Sequence, residues 1–146
     1  MKTIYKIKIA KIIFNILMFF GINQKQPIYR SAIRWNLDLS EGIDLSIFIF
    51  GSFQNDISSS ILKLVKKILK NNKNKINFID VGSNIGDKSL FFARNLLNHN
   101  IQNFYIHSIE PTEFAYNKQK KNLSLNKQLY KKISLHNYLI SNKKKE

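Results

Sequence analysis

Residues 78–90, FIDVGSNIGDKSL, constrain what this chain can fold into more than any other stretch. An apolar, largely β-branched segment (Ile76, Phe78, Ile79, Val81) runs into a turn with glycines at 82 and 86, and a helical pattern follows. That order reads as strand, tight turn and helix start. Gly82 and Gly86 can take backbone angles closed to other residues and carry no Cβ, so a ligand can come up to the main chain. The first N–H groups of the following helix point at such a ligand. Asp80, at the end of the strand, sets a carboxylate beside the same spot. The spacing is D-x-G-x-x-x-G, with Asn84 where a dinucleotide fingerprint wants its second glycine, which disfavours NAD. The plain alternative is a strand-to-helix turn without a ligand.

A second apolar run, Phe104, Tyr105, Ile106 and Ile109, ends in Glu110-Pro111-Thr112, and Thr112 is placed to cap a further helix. In a right-handed β-α-β unit the second strand lies beside the first, so Glu110 emerges next to the glycine turn. An acidic residue about 20 or more positions beyond the glycines is suited to accept hydrogen bonds from a ribose. Both elements point to a nucleoside ligand.

A chain of 146 residues, 44% hydrophobic and 12% aromatic, can bury the core of one ordinary domain. It has no cysteine, which excludes disulfides and thiolate metal sites and fits a reducing, cytoplasmic setting. His99, His107 and His136 lack metal-ligand spacing and read as structural or exposed, so no metal is expected. The formal charge of +15 draws a protein towards phosphate or anionic lipid. The excess is mostly lysine among many isoleucines and asparagines, all with AT-rich codons, and arginine is scarce where bidentate phosphate recognition would favour it. Nucleic acid is therefore a disfavoured partner.

Residues 1–26 form a basic N-terminal segment. Lys2, Lys6, Lys8 and Lys11 precede an apolar run over 12–22, too short to span a bilayer and without a small-x-small cleavage site. Lys8, Lys11 and Asn15 share a helical face, so an uncleaved amphipathic helix is expected, packed on the domain or in peripheral contact with a membrane. Pro27 marks a break, and 27–146 is read as the main domain. Residues 43–50 suit a strand or short buried segment, and Trp35 a core anchor. Residues 56–70 predict an amphipathic helix with Asp56 or Ser58 as cap and a stripe of Ile57, Ile61, Val65 and Ile68, widened by Leu62 and Leu69. Residues 71–75 form a polar connector. After the turn, Leu90, Ala93 and Leu97 line the inner face of a helix ending near 98–100. An exposed helix is expected from 112 to about 127 and a third strand over 133–140.

Together these motifs resemble the FkbM-type methyltransferases, in the class I, S-adenosylmethionine-dependent group. The similarity covers roughly residues 30–142. It rests on W-N-L-D-L-S-E-G-I-D (35–44), I-F-x-F-G-S-F (47–53), F-I-D-V-G-S-N-I-G (78–86), I-E-P-T (109–112) and N-L-S-L-N (122–126). The resemblance implies an α/β fold: the N-terminal portion of a Rossmann-like class I methyltransferase, with a partial, mostly parallel sheet flanked by helices. It implies S-adenosylmethionine as cofactor. Asp80, Gly82, Ser83, Asn84 and Gly86 would cradle its methionine and adenosyl portions and Glu110 its ribose, with Pro111 and Thr112 completing the binding set. The implied reaction is methyl transfer, commonly to a hydroxyl of a small molecule or glycan.

The family continues through a fourth strand to an acidic K-x-D-x-E-G-type segment, which has no counterpart before Glu146. No catalytic residue is therefore nominated. The strand at 76–81 is expected to be an exposed apolar edge that invites self-association, and the chain alone to be marginally stable and inactive. Two other classes stay open: a non-catalytic nucleoside-binding domain, and a basic protein that binds RNA or a membrane surface.

Overall fold

The computed structural model describes residues 3–22, 27–71 and 75–142. Lys2, the middle of the polar connector and the last four residues lie outside the described residues, as do the side chains of Lys6, Asp56, Ile57, Leu69 and Lys70. The chain divides into two compact units, Met1–Phe53 and Gln54–Glu146.

The first unit holds helix α1 (Thr3–Phe19), an antiparallel hairpin of β1 (Ile28–Arg30) and β2 (Ile33–Trp35), and helix α2 (Gly42–Phe50). Ser31 and Ala32 make the hairpin turn with φ of 51° and 60°, both left-handed, as a two-residue turn between twisted strands requires. Trp35 is buried and its indole N–H reaches the carbonyl of Arg30 at 3.4 Å, the core anchor expected. The stretch read as a strand or short buried segment is helix α2. A continuous apolar run carries no periodicity to separate the two, and the ends decide. Asp44 lies in the first turn, favourable at a helix N-terminus. Gly51 closes the helix in the left-handed conformation (φ 79°), its N–H on the carbonyl of Ile47 at 2.8 Å.

The second unit is α/β, with a three-stranded parallel sheet flanked by helices. Helix α3 (Asn55–Asn71) leads to β3 (Ile76–Val81), α4 (Asp87–Asn98), β4 (Phe104–Ile109), α5 (Glu113–Ser124), a 3-10 segment (Lys127–Lys132) and β5 (Ile133–His136). The strand order is β3-β4-β5, with Ile76 opposite Phe104, Val81 opposite Ile109 and Ile109 opposite His136. Among the described residues β3 is an edge, and its burial alternates. Phe78 stacks on Phe92 of α4 at 6.0 Å, whereas Ile79 and Val81 are 67% and 61% exposed. An apolar composition suited to burial on both faces is thus half-buried on one and exposed on the other.

Three expectations shift. The inner stripe of α3 runs through Ser58, Leu62 and Val65, leaving Ile61 and Ile68 exposed. In α4 the inward residues are Leu90, Ala93 and Leu96, with Leu97 half-buried. Helix α5 is not an exposed helix: Gln119, Asn122 and Leu123 are buried, as is Asn126 just beyond it. Its polar composition hid a buried face built of amides.

Leu96→Ala should lower stability by about 2–5 kcal/mol, the cost of emptying a closed core site, and Leu97→Ala by clearly less. Urea unfolding of the two variants measures the difference.

Candidate functional site

The turn between β3 and α4 is built from left-handed residues: Gly82 (φ 73°), Asn84 (φ 50°) and Gly86 (φ 89°). The two glycines serve different ends. A Cβ on Gly82 would meet nothing within 4 Å, so this face of the turn is open to an approaching group. A Cβ on Gly86 would stand 2.9 Å from the Gln119 side chain, so Gly86 is required by packing as well as by backbone angle.

Four of the turn's amides, those of Gly82, Ser83, Asn84 and Gly86, are already engaged. Gly82 and Ser83 both donate to the carbonyl of Ile109, at 2.9 and 3.1 Å, and Gly86 donates to the carbonyl of Ser83 at 2.9 Å. The amide of Asn84 donates to Glu110 Oε2 at 2.8 Å. The expectation that Glu110 emerges beside the glycine turn therefore holds at hydrogen-bond distance. Its other oxygen accepts from the Thr112 amide at 3.0 Å and the Thr112 hydroxyl at 2.6 Å. Burial pushes the Glu110 carboxyl up, but the bonds from the Thr112 hydroxyl, the Thr112 amide and the Asn84 amide outweigh it and hold the group below its ordinary value. Thr112 is the N-cap residue of α5 by position, but its hydroxyl serves Glu110 and makes no cap bond. Pro111 is exposed, at the rim beside Glu110.

Ser83 points the other way. It is buried, and its hydroxyl donates to Gln119 Oε1 at 3.0 Å, so it faces the interior and not the open side of the turn. From there a chain of hydrogen bonds runs through the unit. Gln119 Nε2 donates to Ser108 Oγ, Ser108 and Ser89 share a bond of 2.7 Å, and Ser89 Oγ donates to Asp80 Oδ2 at 2.6 Å. Since the Ser89 proton goes to Asp80, Ser108 is the donor in the shared bond, and every donor in the chain points towards Asp80. Burial raises the Asp80 carboxyl above its ordinary value, against the lowering effect of its bonds to Ser89. Asn122 adds a bond from Nδ2 to the carbonyl of Ile85 at 3.0 Å, fixing the turn from below.

Of the expected site residues, Asp80, Gly82, Asn84, Gly86, Glu110 and Thr112 gather about the turn. Sequence reasoning missed Ser89, Ser108, Gln119 and Asn122, which support it. The histidines read as structural or exposed, and nothing in the sequence signals that two of them meet. His107 and His136 stack on neighbouring strands, and the hydroxyl of Ser134 lies 3.1 Å from His107 Nδ1 and 2.9 Å from His136 Nε2. Among the described residues there is no group of three or more His, Cys, Asp or Glu side chains able to hold a metal ion.

The arrangement favours some ligands over others. With four of its amides engaged and two carboxyls nearby, the turn is a poor seat for a phosphate, which needs several free N–H donors. It suits a ligand that brings positive charge and hydroxyl donors. In sequence the chain matches no family model and no curated protein.

Glu110→Gln should destabilise the protein at pH 7 by about 1–3 kcal/mol, because an amide cannot accept every bond that the carboxylate accepts. The folded-state pKa of Glu110 is depressed, so its contribution is present above the ordinary carboxylate range and is lost as pH falls through the depressed value. The gap between wild type and variant should therefore narrow in acid, as urea unfolding at neutral and at acid pH measures. Gly86→Ala should also destabilise, by about 1–3 kcal/mol from the left-handed angle, before any displacement of Gln119 is counted.

Proposed function

We propose that residues 54–146 bind S-adenosylmethionine and form the donor-binding, N-terminal portion of a Rossmann-like class I methyltransferase of the FkbM type. The observation that carries this reading is the joining of the glycine turn to the end of the neighbouring parallel strand through the Asn84 amide and the Glu110 carboxylate. A ribose that offers its two hydroxyls at this point meets an acceptor kept ionised by its surroundings. The open face at Gly82 gives the nucleoside a close approach to the main chain. Asp80, on the other flank, complements the positive charge of an amino acid or sulfonium group. The engagement of the Gly82, Ser83, Asn84 and Gly86 amides within the protein argues against NAD and other phosphate-bearing nucleotides.

The reaction on this reading is in-line transfer of the methyl group from sulfur to a hydroxyl oxygen of a small molecule or glycan, in the cytoplasm. Such catalysis is largely positioning, with a general base to take the hydroxyl proton. The residues around the turn supply donor binding, and none of them is assigned as the base.

Titration calorimetry with S-adenosylmethionine and with S-adenosylhomocysteine should give heat that disappears in Gly82→Val and in Glu110→Ala, with circular dichroism to establish that each variant is folded. Adenosine should compete and adenosine monophosphate should compete poorly. Binding that survives both substitutions, or that prefers the phosphate, overturns the assignment.

A further inference from the structure

Helix α1 has two apolar faces, and its own unit covers only one. Ala10, Ile13, Phe14 and Leu17 are half-buried on the side that packs against α2. On the other side Tyr5, Ile9, Ile12, Ile16 and Phe19 are exposed at intervals of four, three, four and three residues, one continuous stripe along the helix. At 1.5 Å per residue that stripe is on the order of 20 Å long. It ends at Phe19, which packs edge to face against Phe20 just beyond the helix, the two being 86% and 72% exposed. Beside it run Lys8, Lys11 and Asn15, also exposed, as a parallel polar row. A helix apolar on both sides belongs in an apolar setting on both sides, and a contiguous exposed patch of this kind marks an interaction surface.

We propose that this face of α1 lies flat on an anionic lipid surface, with the stripe from Tyr5 to Phe19 and the side chain of Phe20 set into the acyl boundary and Lys8 and Lys11 at the headgroups. Two observations choose lipid over a second copy of the chain. The protein carries a formal charge of +15, and pairing two α1 stripes would bring two lysine rows together on two strongly basic molecules. An anionic bilayer turns the same charge into attraction and accepts exposed phenylalanines at the level of its headgroups. The orientation is in the plane of the surface, since among the described residues no helix is long and apolar enough to cross a membrane.

The test is co-sedimentation of the full chain with vesicles of phosphatidylcholine alone and with about 30% phosphatidylglycerol. Wild type should bind the anionic vesicles at least tenfold more tightly, and about 0.5 M salt should remove most of that preference by screening. Ile12→Asp should reduce binding at least tenfold and Lys8→Glu with Lys11→Glu should abolish the preference. The melting temperature should stay close to that of wild type in each, because these side chains are exposed. Should Ile12→Asp fail to fold, Phe19→Ser with Phe20→Ser carries the same expectation from the end of the stripe. No association by wild type, equal binding to neutral and anionic vesicles, or undiminished binding by a folded stripe variant overturns the proposal. So does a dimer in light scattering that Ile12→Asp dissolves without any vesicle binding.

Discussion

The bond between the Asn84 amide and the Glu110 carboxylate is the constraint on which the second unit depends. It ties a turn that leaves β3 to a residue that leaves β4, so the geometry of the turn is set by the neighbouring strand as much as by its own glycines. Thr112 then holds the second carboxylate oxygen, and α5 starts from a residue already fixed in place. A single buried carboxylate thus organises the end of one strand, the start of one helix and the mouth of the turn. The energy is consistent with that role, since hydrogen bonds to a charged group contribute about 1.5–3 kcal/mol where a neutral pair contributes about 1.

Beneath the turn the core is polar. Ser83, Gln119, Ser108, Ser89 and Asp80 form one chain of donors and acceptors, and Asn122 and Asn126 extend the same side with bonds to the carbonyls of Ile85 and Asn122. Bonds in such a chain polarise one another when water is excluded, and a break leaves a buried group without a partner. The turn therefore rests on a matched set of polar groups, while Leu90, Ala93 and Leu96 of α4 are buried in the apolar core.

The strand-turn-helix at 76–98 was legible because each signal is local: β-branched residues, two glycines, then a helical period. The meeting of Glu110 with the turn was legible from topology alone, since adjacent parallel strands bring their ends together. What was hidden has physical causes. The apolar run of α2 is compatible with helix or strand, and only its ends, Asp44 in the first turn and the cap at Gly51, distinguish them. The β1-β2 turn places serine and alanine at left-handed positions where glycine or asparagine would have been the signal. In α5 and just beyond it the residues at 119, 122 and 126 keep the spacing of a buried stripe, but their amides read as solvent-facing because a buried amide declares itself only through its partners. The inward serines at 83, 89 and 108 were silent for the same reason.

Ser108 lies between His107 and Ile109 on β4, and side chains alternate faces along a strand. A slip of one residue would turn every inward side chain outward and is excluded by burial alone, but a sheet whose helix-facing side were wholly apolar could accept a pairing displaced by two residues at modest cost. Here a displacement by two would put the Ile106 or the Glu110 side chain where a hydroxyl must both receive from Gln119 and give to Ser89. Several polar groups would lose their matches at once, and β5, paired to β4, would be carried along with the error. The buried hydroxyl thus separates the native alignment of the strands from alignments displaced by two residues, which hydrophobic burial alone would score almost equally.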